Sequence, residues 1–205
     1  MMGLLGIQKI IIAHLLKSNN GGDRMYKRSI DLLKNCGIKF ESGLTMEEML
    51  KIEKLYAIKF PKSLREFLKE ELPISEGFYN WRNFELNNIE FIKKMIYKPL
   101  KDIDDLAEEV YWYEEWGEEP ISTDDKAKSI RTRLKNAPIL LPFFSHRYIP
   151  VILDDNPPVI SVHGIDIIYY GENIEDYLEV EFGRKEQAEI NFQRISPIPF
   201  WSEIM

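Results

Sequence analysis

A chain of 205 residues that is 44% hydrophobic can bury roughly 70% of the surface its unfolded form exposes, enough for one core without help from a metal or a disulfide. The single cysteine, Cys36, excludes an internal disulfide and fits a reducing, cytoplasmic setting. With 27 basic against 34 acidic residues and a net charge of −7, direct nucleic-acid binding is disfavoured, because it rests on phosphate neutralisation by clustered Lys and Arg; proteins that themselves bind nucleic acid become the better candidate partners.

The opening "MMGLLGIQKIIIAHLL" places Leu4, Ile7, Ile11 and Leu15 at helical spacing with Leu5, Ile12 and Leu16 beside them, which predicts an amphipathic helix over residues 1–17 docked on its own domain. It is too short to span a bilayer, lacks a basic n-region and is interrupted by Lys9 and His14, so no membrane partner is expected. "SNNGGDR", Ser18 to Arg24, reads as a flexible linker, and residues 25–205 as one domain.

"LTMEEMLKIEKLYAIKFPKSLREFL" is the clearest local signal. Thr45 is placed to cap with Glu48 reaching back, and Leu44 to staple onto Met49. Met49, Ile52, Leu55 and Tyr56 share a face, Phe60-Pro61 breaks the helix, and a second helix carries Leu64, Phe67 and Leu68, so a helical hairpin is predicted. "NIEFIKKMIY" is predicted as a helix ending before Pro99, whose ring disfavours helix in the residue ahead of it.

Asp102 to Asp125 holds eleven Asp and Glu and no Lys or Arg, while the rest of the chain carries more basic than acidic residues. The run opens as a further amphipathic helix, with Ile103, Leu106, Ala107 and Val110 on one face and Asp102, Asp105 and Glu109 opposite. Past Val110 acids alternate with aromatics in "VYWYEEWGEEP", and Gly117 and Pro120 announce an irregular loop. Ser122, with Asp125 three residues on, is placed to cap one more helix bearing Ala127, Ile130 and Leu134.

From Pro138 the period changes. "ILLPFF", "IPVIL", "VISV" and "DIIYY" are short β-branched or aromatic runs separated by turn chemistry, hence strands; Pro142 and Pro150 belong at edges or bends. Asn173 caps a closing helix with Ile174, Tyr177, Leu178 and Phe182. Helices first and strands later, without βαβ alternation, predict an α+β fold with a mainly antiparallel sheet.

Several of these stretches, taken together, resemble the SUKH superfamily of Smi/Knr cell-wall-regulator-like domains. The helical pair from Leu44, then Trp112, Trp116-Gly117, "LPFFSHRYIP" and "DNPPVISVHGIDIIYYG", closing on Leu178 and Phe182, are similar to a bacterial branch of that family in the same order. The likeness covers residues 44–182. Relatives often carry an Asn-Gly-Gly turn after the second helix, where this chain reads "ELPISEGFYNWRN". The resemblance implies a mixed, mainly antiparallel sheet with helices packed against it, no catalytic site and no cofactor. It also implies use as a platform for a protein partner: an immunity protein that occludes a cognate toxin, often a nuclease, or alternatively an intracellular adaptor like the fungal relatives.

Enzyme chemistry has little to stand on. His14, His146 and His163 lie on different elements without metal-ligand spacing, and there is no phosphate loop or nucleophile elbow. A ligand site joining His146, Arg147 and Asp166 is the enzymatic alternative; its bland counterpart has His146 and Arg147 satisfying carbonyls at a bend and Asp166 as a buried acceptor. Trp81 and Trp201 are expected in the core. The residues assigned to a partner are Trp112, Glu114, Glu115, Trp116, Glu118 and Glu119, with Arg147. The aromatics would pin the loop while the carboxylates stand in for phosphates before a basic cleft, against the plain alternative of a solvated acidic face.

Overall fold

The computed structural model describes residues 25–205; the helix expected over 1–17, the linker Ser18 to Arg24 and His14 lie outside them. The fold is α+β. Its elements are α1 (Lys27–Asn35), β1 (Phe40–Ser42), α2 (Met46–Tyr56), α3 (Lys62–Glu70), β2 (Glu71–Pro73), α4 (Leu86–Asp105), α5 (Thr123–Leu134), β3 (Leu140–Phe144), β4 (Arg147–Pro150), β5 (Val159–His163), β6 (Asp166–Gly171) and α6 (Ile174–Glu181).

The helical hairpin forms as its sequence dictates. Thr45 Oγ1 accepts from the Glu48 amide at 3.2 Å, and the Thr45 amide donates back to Glu48 Oε2 at 2.8 Å, a capping box worth about 1 kcal/mol. Met49, Ile52 and Tyr56 of α2 and Leu64, Phe67 and Leu68 of α3 are all buried. The hairpin is closed by a feature its sequence hides: β1 and β2 pair antiparallel, Phe40 opposite Pro73. A Cβ on Gly43 would stand 1.8 Å from the Lys69 carbonyl oxygen, so only glycine lets β1 approach the end of α3 this closely.

One expected boundary is wrong. The helix over "NIEFIKKMIY" does not end before Pro99, and no separate helix follows: α4 runs through Pro99 to Asp105. An interior proline costs about 3 kcal/mol in a lost hydrogen bond and ring clash. Here Ile92, Ile96, Pro99 and Ile103 are all buried on one helical face, and each deeply buried isoleucine returns about 1.5–3 kcal/mol. Tertiary burial outweighs local preference.

β3, β4, β5 and β6 form one antiparallel sheet in sequence order. Both sheets are antiparallel throughout among the described residues. Pro142 sits in the edge strand β3, opposite Tyr148 and beside a register shift before Phe144, where a missing N–H is tolerated. The run "IPVIL" is strand only as far as Pro150.

Neighbouring residues of the strands enter two different cores. Leu141, Phe143, Ile149 and Val159 join a cluster with α1, α2, α3 and α6. Leu140, Tyr148, Ile160 and Val162 join a second with α5, the end of α4 and the tail residues Ile198, Phe200, Trp201 and Ile204. A sheet covered on both faces explains why its strands read as continuous apolar runs rather than as alternating ones. Trp81 and Trp201 are buried, as expected.

Candidate protein-binding surface

The acidic run divides into two halves with different electrostatics. In the helical half the chain supplies its own cations: Lys98 pairs with Asp102, Lys101 with Asp105, and Arg131 with Asp104 at 3.1 Å. These acids belong to a solvated, internally balanced face.

The loop half is built differently. Trp112 is buried and its indole Nε1 donates to the Gly117 carbonyl at 2.9 Å, so the loop closes on itself. Gly117 holds φ of 93° after the short 3-10 turn Glu114–Trp116, a conformation that favours glycine. The two indoles meet edge to face at 5.4 Å. Trp116 then stacks on Phe200, ring centroids 6.3 Å apart and 13° from parallel, and its Nε1 donates to Glu203 Oε2 at 2.8 Å. The Arg133 guanidinium of α5 lies 4.5 Å from the Trp116 ring and 5.3 Å from that of Trp112, a cation–π arrangement. Aromatic stacking, a charge-assisted hydrogen bond and a cation–π contact thus anchor a loop of irregular backbone.

Glu114, Glu115, Glu118 and Glu119 are all exposed around this anchor. Glu119 pairs with Lys126 at 2.6 Å. The Glu115 carboxylate near the Tyr113 phenol pushes that phenol's pKa up. Among the described residues no Lys or Arg pairs with Glu114, Glu115 or Glu118. The residues that sequence reasoning missed are Phe200, Glu203 and Arg133. The only signal for the first two was the aromatic and acidic character of "PFWSE", with nothing to say what it packs on.

Arg147 is buried rather than displayed. It is 8% exposed; its Nε faces Glu181 Oε2 at 3.3 Å as a charge pair without hydrogen-bond alignment. Its Nη1 donates to Ser161 Oγ at 3.1 Å and to His146 Nε2, and its guanidinium lies 3.9 Å over Tyr170. A guanidinium so engaged ties β4 to β5 and α6. Ser161 Oγ therefore serves Arg147. Asp166 is exposed, not the buried acceptor expected of it. His146 and His163 do approach, ring centroids 6.0 Å apart. Burial first, then Arg147 and His163, hold the His146 pKa below its ordinary value. Among the described residues no group of three or more His, Cys, Asp or Glu is placed to hold a metal ion, and no helix is long and apolar enough to cross a membrane. Cys36 is exposed just beyond α1.

Compared with family models, with curated proteins and with solved structures, the chain finds no match.

Proposed function

We propose that the chain is a non-enzymatic, cytoplasmic SUKH-like domain that binds a basic protein through the loop Trp112 to Glu119, and that it serves as an immunity protein occluding a cognate toxin. The observation that carries the binding part is the pairing of unneutralised carboxylates on Glu114, Glu115 and Glu118 with a loop anchored by Trp112 and Trp116. A rigid display costs little entropy on association, so charge complementarity is converted into a faster encounter and a narrower choice of partner. The immunity role is supported by the resemblance of residues 44–182 and by the helical hairpin that precedes an antiparallel sheet.

The test uses the product of the open reading frame beside the gene, measured against the full chain. Co-expression should relieve that product's toxicity, and Glu114→Gln/Glu115→Gln/Glu118→Gln should slow association about tenfold at low salt and flatten its salt dependence. Glu119→Gln should do less, because Lys126 already meets that charge. Association kinetics of the triple variant that match the parent chain from roughly 50 to 500 mM salt would remove the electrostatic mechanism.

A further inference from the structure

The second site lies on the hairpin side of the molecule, where the end of α2 meets the strands. A groove of about 590 Å³ is lined by Leu50, Ala57, Ile58, Ile139 and Val151, with Glu53, Lys54 and Lys59 among its polar groups. Leu50 is 54% exposed, an apolar side chain left in water at the groove wall. Val151 and Lys59 also line a second trough of about 430 Å³ beside Pro61 and Asp155. Val151 also lines a third of about 420 Å³ beside Pro138, Pro197 and Pro199. Leu153, fully exposed, and Asp154 border both of the latter.

The charge in this region is not balanced. Glu53 is buried, and its one carboxylate meets two cations, Arg65 at 2.6 Å and Lys59 at 3.0 Å. Lys54 has no acidic partner among the described residues. The first groove is therefore cationic and apolar at once. At the far end Asp155 is matched by Lys62, while the Asp154 carboxylate accepts only the Asn156 amide. Ala57, at the C-terminal cap of α2, holds φ of 53° and ψ of 43°. Glycine is the usual occupant of that conformation, yet here a methyl is kept at a residue that lines the groove. Strain retained at a cleft is an independent pointer to use.

We propose that these adjoining troughs bind an extended peptide segment of a partner protein, apolar residues seated along Leu50, Ile139 and Val151 and an acidic side chain set against Lys54. Three troughs with shared lining residues suit a chain several residues long rather than one compact molecule, and Lys54 selects a carboxylate at one end. The proposal does not rest on the acidic-loop reading: it uses other residues and the opposite sign of charge.

The experiment measures fluorescence anisotropy of a labelled octapeptide of alternating Glu and Leu against the full chain, with an alternating Lys and Leu peptide and dodecanoate as comparisons. The acidic peptide is expected to bind saturably with Kd on the order of 10–100 μM, as short unoptimised peptides do, and the basic peptide at least tenfold more weakly. Lys54→Glu and Leu153→Ser, both at exposed positions, should each weaken binding about fivefold without moving the thermal midpoint. Glu114→Gln/Glu115→Gln/Glu118→Gln should leave it unchanged, which separates this site from the loop. Equal binding of the two peptides, undiminished binding of the acidic peptide to Lys54→Glu, or binding of dodecanoate without the acidic peptide would overturn the assignment.

Discussion

Trp116 donates its indole N–H to Glu203 at 2.8 Å across 87 residues of sequence. This one contact couples the acidic loop to the end of the chain, because Glu203 also accepts the Phe200 amide through its other oxygen at 3.1 Å. The loop's rigidity is thus a tertiary property, supplied by the tail and by Arg133 rather than by its own backbone.

Removing the anchor should loosen the loop more than it harms the fold. Trp116→Phe keeps the stack on Phe200 and loses the hydrogen bond to a carboxylate, costing about 1.5 kcal/mol. Trp116→Ala loses both and should cost about 2–3 kcal/mol, below the figure for a fully buried tryptophan because Trp116 is only partly buried. Urea denaturation reads the stability, and faster proteolysis between Tyr111 and Pro120 reads the loosened loop.

Glu53 makes a second, deeper prediction. Its side chain is 2% exposed and takes Arg65, Lys59 and, at 3.0 Å, the Phe60 amide, so it fastens the turn between α2 and α3. Glu53→Ala would strand the Arg65 guanidinium and an amide, and should cost about 3–5 kcal/mol. Glu53→Gln, which keeps one acceptor, should cost less. The difference in urea midpoints between the two variants checks the assignment.

Acid should weaken the sheet end through His146. Arg147 donates to His146 Nε2 while Nδ1 lies 3.2 Å from Ser145 Oγ, a pattern that needs the neutral ring. Burial, Arg147 of β4 and His163 of β5 lower its pKa, and Glu181 of α6 opposes them. Below its ordinary value of about 6.5 the unfolded chain takes up a proton that the folded ring resists. The contribution is therefore whole above that pH and is lost as pH falls through the folded value. Thermal midpoints measured from pH 8 to pH 5 should decline on the acid side, and His146→Gln should flatten that decline.

Much of this was legible locally. The Thr45–Glu48 box, the Ser122 and Asn173 caps and the four sheet strands depend on neighbours within a few residues, and their patterns say so. What depends on distant partners was hidden. α4 continues through Pro99 because Ile96 and Ile103 are buried together, which no nearest-neighbour rule sees. β1 and β2 are three residues each, too short to show a period, and α1 was passed over despite its buried Ile30 and Leu33. At the candidate surface the carboxylates and both tryptophans were readable as a cluster. Arg147 was misplaced because a buried guanidinium and an exposed one look alike in sequence; only Glu181, Ser161 and Tyr170 decide between them.

The two-sided burial of the main sheet has a consequence for where the chain can be cut. The resemblance ends near Phe182, yet Ile198, Phe200, Trp201 and Ile204 line the second core, and Trp201 Nε1 donates to the Pro138 carbonyl at 2.8 Å. A polypeptide halted at Phe182 would keep the first cluster whole and leave Leu140, Tyr148 and Ile160 covered only by α5 and the end of α4, a partly opened core and a ready nucleus for clumping. Trimming to the recognisable portion would therefore yield a stickier protein, and one whose acidic loop had lost its perch.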